Sequence, residues 1–216
     1  TVREVTPRGK HLLMRIGDQT LHSHLMMDGE WQIYRPGARW RFPAFRARAV
    51  VGTASAEAVG VDVAMVDLLP TVDEDRVVGR LDPDPLGPDW DGAEAARRLA
   101  RDDRAVHVAL LDQRNLAGLG NEYANEVLFV RGIRPTARAR NADTAALVDT
   151  AARMIRSNRD RVARTFTGDT RRGARHWVYR REGSPCRRCG TAIRRADLGA
   201  AATAERIVFW CPSCQR

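Results

Sequence analysis

Lysine is all but missing from this chain: of 36 basic residues, 35 are arginine and one, Lys10, is lysine. A codon supply that favours Arg and Ala explains the background. A guanidinium stays protonated, whereas an amine can give up its proton and act as a base or nucleophile. The retained lysine therefore marks either a position that needs an amine or a chance survival. Long apolar runs are also missing. No stretch of 18 or more apolar residues occurs, which excludes a spanning helix. The opening TVREVTPRGK has no apolar segment followed by a cleavage site, so nothing marks the chain for export, and it lacks a starting Met. Cysteine is absent before residue 186.

What is present fits a folded protein. Hydrophobic content is 44%, so disorder is not the default, and 216 residues can bury one core or two smaller ones. The net charge of +9 is unevenly placed: residues 1–90 carry −2 and residues 91–216 carry +11. That asymmetry points to a polyanionic backbone gripped mainly by the second half, or to a generally Arg-rich surface.

The four cysteines form two CxxC knuckles, Cys186-Arg-Arg-Cys189 and Cys211-Pro-Ser-Cys214, with 21 residues between them. Two knuckles on the arms of a hairpin bring four thiolates around one tetrahedral zinc. A redox pair needs only one knuckle, and disulfides suit an exported chain. Four thiolates leave no open position for water, so the zinc is read as structural. Gly190 relieves the first knuckle's turn. Arg206-Ile-Val-Phe-Trp210 reads as the second hairpin strand, with Arg206 close to the hairpin turn and suited to a phosphate, or simply to solvent.

Residues 5–34 are strand-like, including 12–16, a Gly17-Asp18 turn and 20–25; further strands fit 47–51 and 58–63. The Pro-rich stretch 81–89 is the best boundary. Beyond it, Asp91 with Glu94 starts a helix, 106–111 continues as a second, and Leu116-Ala-Gly-Leu-Gly-Asn121 interrupts. A third helix follows from Glu122 to Arg131, ending at Gly132. A longer one is expected from Thr144 to about Arg164. The glycines at 118 and 120 serve either backbone approach to a phosphate or a helix cap.

These pieces then fall into one order. Residues 110–129, LLDQRNLAGLGNEYANEVLF, resemble the helix–two-turns–helix element of the formamidopyrimidine-DNA glycosylase / endonuclease VIII family. Arg8-Gly9-Lys10-His-Leu-Leu resembles that family's catalytic-lysine turn, and His24-Leu-Met-Met-Asp-Gly29-Glu-Trp31 looks like its wedge loop. The knuckles with Arg206 look like its zinc finger. The Arg-x-x-x-Trp-Cys run from Arg206 to Cys211, and the short segment before the first knuckle, bring the chain closest to a bacterial endonuclease VIII paralogue of actinobacterial style.

The resemblance implies an α+β fold in three parts. These are a β-sandwich catalytic domain, partial here, over 1–89; a helix–two-turns–helix domain over 90–182; and a β-hairpin zinc finger over 183–216. It implies a monomeric bacterial cytoplasmic protein, associated with the nucleoid and not with membrane, whose partner is damaged or abasic DNA. The reaction implied is base-excision repair: removal of oxidised bases, pyrimidines foremost, then strand cleavage by elimination. Lys10 takes the catalytic lysine's place. Met26 and Met27 take that of the plug filling the vacated base stack, and Arg80, Asn121 and Arg206 those of DNA contacts. Met26 and Asp28 stand where endonuclease VIII has a polar and an aromatic residue. The family's nucleophile is an N-terminal proline followed by glutamate. Neither has a counterpart after Thr1, and Pro7 cannot substitute because its nitrogen lies in an amide. The sequence thus reads as N-terminally truncated relative to the family, or as a non-catalytic DNA-binding remnant or paralogue. A zinc-ribbon adaptor for RNA fits charge and cysteines but leaves Lys10, the wedge loop and the two-turn motif unexplained.

Overall fold

The computed structural model describes residues 1–81, 83–199 and 206–216. It contains two compact units, Thr1–Arg80 and Leu81–Arg216. The first is built from antiparallel strands. Strands β1 (Val2–Arg8), β2 (His11–Ile16), β3 (Gln19–His24) and β7 (Met65–Pro70) form one sheet in that order. Strands β4 (Glu30–Tyr34), β6 (Glu57–Val61) and β5 (Ala47–Gly52) form the other.

Turn chemistry fixes these hairpins. Gly9 (φ +59) and Lys10 are the two residues between paired Arg8 and His11, and Gly17 (φ +64) opens the turn into β3. Leu13, Met14 and Leu21 are buried in the first sheet and Val59 and Val61 in the second. Arg15 binds the two Glu74 oxygens at 2.9 and 2.7 Å, and Thr20 bonds the same carboxylate at 2.5 Å. This ties β2 and β3 to the segment entering α1 (Asp75–Val78).

The second unit is helical, with one hairpin. Helix α2 (Gly92–Ala100) starts where the Asp91 side chain accepts from Glu94 N–H at 2.9 Å, as the sequence pattern anticipates. Helix α3 (Val106–Leu111) leads through the two turns into α4 (Asn121–Arg131), which ends on Gly132 in the left-handed region (φ +71). Helix α5 (Thr144–Asn158) is shorter than its apolar periodicity suggests. Asn158 stops it: its amide donates to the Met154 and Thr165 carbonyls and accepts from Thr165 N–H, turning the chain back. The Pro-rich connector packs with the helices, since Ala117 N–H donates to the Pro83 carbonyl and Arg156 Nε to that of Pro85. Leu99, Leu110, Leu119, Leu128 and Leu147 form the helical core.

Strands β8 (Arg194–Leu198) and β9 (Arg206–Trp210) make the C-terminal hairpin. Phe129 of α4, Val178, Ile193, Phe209, Cys186 and Cys211 form a second apolar cluster, so the hairpin rests on the helix. Residues 200–205, which separate β8 and β9 in sequence, and Asp82 lie outside the described residues. Among the described residues no helix is long and apolar enough to cross a membrane.

Candidate nucleic-acid interface and metal centre

The four cysteine sulfurs lie within 4.8 Å of one another. Cys186–Cys214 and Cys189–Cys211 Sγ separations are 4.0 and 3.4 Å. A tetrahedron with metal–sulfur bonds of about 2.3 Å has edges of about 3.8 Å, so the spacing fits one metal held by four thiolates. Both knuckles turn on backbone hydrogen bonds: Gly190 N–H donates to the Cys186 carbonyl, and Gln215 N–H to that of Cys211. Gly190 adopts φ +78, the turn role its position suggests. Gln215 then clamps the second knuckle, accepting from Cys211 N–H and donating to the Ile133 carbonyl beyond α4.

A buried polar network joins the two-turn segment to β9. Asn121, first residue of α4, donates from Nδ2 to the Ile207 carbonyl at 3.0 Å and bonds His107 Nε2 through Oδ1 at 2.9 Å. Asn125, one turn on, accepts from Phe209 N–H at 2.6 Å. Arg206 is exposed at the start of β9, one residue before Ile207. Burial brings the His107 pKa down to about 4; the Asn121 bond opposes this and the Arg206 charge adds to it. Gln113 braces the two turns: its amide donates to the Leu111 and Leu119 carbonyls and its oxygen accepts from Gly118 N–H.

In the first unit, Lys10 is exposed in the β1–β2 turn. Met26 and Met27 are 56% and 82% exposed at the turn after β3, and Met26 holds a left-handed φ of +55. Arg80 is exposed at the end of this unit. The structure thus brings Asn121 and Arg206 together through Ile207, and collects the four cysteines.

Several neighbours escaped the sequence reading. Glu126, fully buried, accepts from the backbone N–H groups of Trp177, Val178 and Tyr179 at 2.8–3.0 Å. His11, His22 and His24 cluster beside Lys10, and His107 supports Asn121. Only the CxxC and glycine patterns carry a local signal; these pairs are 11 to 53 residues apart in sequence.

Residues 81–162 match the family model of the formamidopyrimidine-DNA glycosylase H2TH domain. The chain is 49% identical over 221 residues to the "Probable endonuclease 8 2" of Streptomyces coelicolor, covering all of this chain and 79% of that protein. It belongs to the formamidopyrimidine-DNA glycosylase / endonuclease VIII family. It is likewise 46% identical to the "DNA-(apurinic or apyrimidinic site) lyase Nei2" of Mycolicibacterium smegmatis, over 99% of this chain and 82% of the relative. Among solved structures, MutM in complex with carbocyclic 8-oxo-G containing DNA matches with a TM-score of 0.81 at 25% identity, over the whole chain and 81% of MutM. The Lactococcus lactis Fpg with an abasic site containing DNA matches with the same score and identity, over the whole chain and 82% of Fpg. The α+β fold with its cysteine-bearing hairpin is thus the family's fold.

Proposed function

We propose that the protein is a base-excision repair DNA glycosylase and abasic-site lyase, acting on oxidised bases, pyrimidines foremost, in the bacterial cytoplasm and as a monomer. The observation that carries this reading is the Asn121–Ile207 bond, which sets the two-turn asparagine beside the strand bearing Arg206. The exposed Arg206 and the Asn121 carboxamide that holds its strand supply donors suited to backbone phosphates.

The cysteine cage holds a structural zinc, which supplies rigidity to β9 and no reaction step. Met26 and Met27 enter the base stack when the damaged nucleotide is turned out, because flexible apolar side chains replace a base's contacts at little strain. Arg80 holds the DNA backbone near them. Lys10 moves a proton and contacts phosphate, which suits an amine better than a guanidinium. Incision of a duplex carrying one oxidised pyrimidine tests this reading. The gene's complete product is expected to release the base and cut the strand by elimination, and Lys10→Ala to cut at least tenfold more slowly. Intact strands after prolonged incubation contradict it.

A further inference from the structure

Three of the five histidines collect on one face of the first sheet, next to Lys10. His11 pairs across the strands with His24, and His22 stands two residues away on the same face of β3. His11 Nδ1 lies 2.6 Å from His22 Nε2, with the rings stacked. His11 also meets the His24 ring edge-on, centroids 4.6 Å apart. Behind them, His22 Nδ1 faces Asp67 Oδ2 of β7 at 3.4 Å. At the front, His24 Nδ1 accepts from Met26 N–H at 3.0 Å.

These contacts dictate where the protons sit. His24 Nδ1 accepts, so its proton is on Nε2. The Asp67 carboxylate favours a proton on His22 Nδ1, which leaves Nε2 to accept from His11 Nδ1. At 2.6 Å the facing nitrogens share one proton, and a second would set N–H against N–H. The Met26 contact therefore holds only while His24 Nδ1 carries no proton. The train of rings ends on a strained residue: Met26 occupies left-handed backbone that a methionine rarely adopts. The turn is closed by Gly29 N–H donating to the Leu25 carbonyl, where a Cβ would stand 2.6 Å from that oxygen.

We infer that His24, backed by His11 and His22, is the positioning residue for the Met26–Met27 turn, and that acid releases the turn by protonating His24. The inference rests on the reading of Met26 and Met27 as the wedge. The charged groups facing the cluster are Lys10 in the β1–β2 turn, Arg80, and Asp67 on β7. Burial, then Lys10 and His22, push the His24 pKa down. Burial, then His24, His22, Arg80 and Lys10, bring His11 to about 4. His24 and His11 are therefore neutral at physiological pH and take up protons in acid, where the Met26 N–H loses its acceptor.

The test uses the full chain and a duplex with 2-aminopurine beside a tetrahydrofuran abasic site, whose fluorescence rises when the base unstacks. Anisotropy reports binding in the same samples, and far-ultraviolet circular dichroism reports folding. At saturation, the unstacking signal is expected to fall at least threefold from pH 7.5 to pH 4.5 while the DNA stays bound. His24→Asn, whose Oδ1 replaces Nδ1 as acceptor and does not titrate, should reduce that fall to less than 1.5-fold. His24→Phe, with no acceptor, should give low signal at both pH values. The same pH ratio in His24→Asn as in the parent, or full signal at pH 7.5 in His24→Phe, overturns the inference. Weaker binding by His24→Asn with an unchanged pH ratio would show a phosphate contact instead, and also overturns it. A parent chain that binds this DNA without any unstacking signal contradicts the wedge reading itself.

Discussion

The Asn121 amide donates to the Ile207 carbonyl at 3.0 Å, fixing the N-terminus of α4 to the strand that begins at Arg206. A second carboxamide repeats the contact one turn later, where Asn125 accepts from Phe209 N–H. Ile207 and Phe209 lie on alternate positions of β9, so two side chains of one helix face set the strand's direction. His107 steadies the first of them. On the proposed reading, DNA grip through Arg206 depends on residues that need not touch DNA themselves.

This coupling can be measured by a double-mutant cycle on abasic-DNA affinity. Arg206→Ala is expected to reduce the slope of log K against log salt by about one. Asn125→Ala, which lies beneath the strand, should weaken binding without changing that slope by as much. The pair should be non-additive by about 0.5–2 kcal/mol. Additive losses would mean that the helix does not position the arginine.

Metal removal should act on the same strand. Cys186 and Cys211 belong to the apolar cluster shared with Phe129 and Phe209, so losing the metal opens that cluster as well as the cage. One zinc per chain is expected by elemental analysis. Chelation should change Trp177 and Trp210 fluorescence and abolish salt-sensitive DNA binding, while the helical signal from α2 to α5 largely persists. Unchanged binding in metal-free protein would contradict the positional role given to the hairpin.

Glu126 offers a separate stability test. Its carboxylate accepts three backbone N–H groups from 177–179, the segment that leads into the first knuckle. Burial pushes its pKa up, while those N–H groups pull the other way. Glu126→Gln sets an amide N–H against a backbone N–H and removes charge from the remaining bonds. It is expected to cost about 2 kcal/mol or more in denaturant unfolding. A neutral result would show that the three bonds contribute little.

Sequence legibility followed distance along the chain. The Asp91–Glu94 cap, the Gly132 helix end, the CxxC cage and the Gly17-Asp18 turn are local patterns, and local chemistry decides them. Helix α5 ends short of the residue 164 that the sequence suggests, because the Asn158 side chain reverses the backbone. The histidine train, the His107–Asn121 bond and the Glu126 nest depend on strand register and helix packing. No spacing rule announces those. The wedge role proposed for Met26 and Met27 and the DNA contact proposed for Arg80 come only through resemblance, since an exposed Met or Arg has no distinctive local signature.

Stability should fall in mild acid, and His107 contributes with a definite sign. Its folded pKa of about 4 lies below the ordinary 6.5, so between these values the unfolded chain binds more protons. Stability from this residue is complete above pH 6.5 and is lost as pH falls toward 4, by up to about 3 kcal/mol. His11 acts in the same direction. His107→Gln keeps a donor toward Asn121 and cannot titrate, so it should flatten the dependence in thermal unfolding between pH 7 and 4.5. An equally steep dependence in that variant would remove His107 from the account.

The most direct measurement is borohydride trapping on abasic DNA with the gene's complete product. Glycosylase and lyase chemistry through an amine passes through an iminium adduct, which borohydride reduces to a stable protein–DNA bond. The account predicts a covalent band that requires both borohydride and the abasic site, weakens in Arg206→Ala, and disappears with the metal. Tight, salt-sensitive binding with no covalent band would contradict it, and would leave a DNA-binding protein without the reaction.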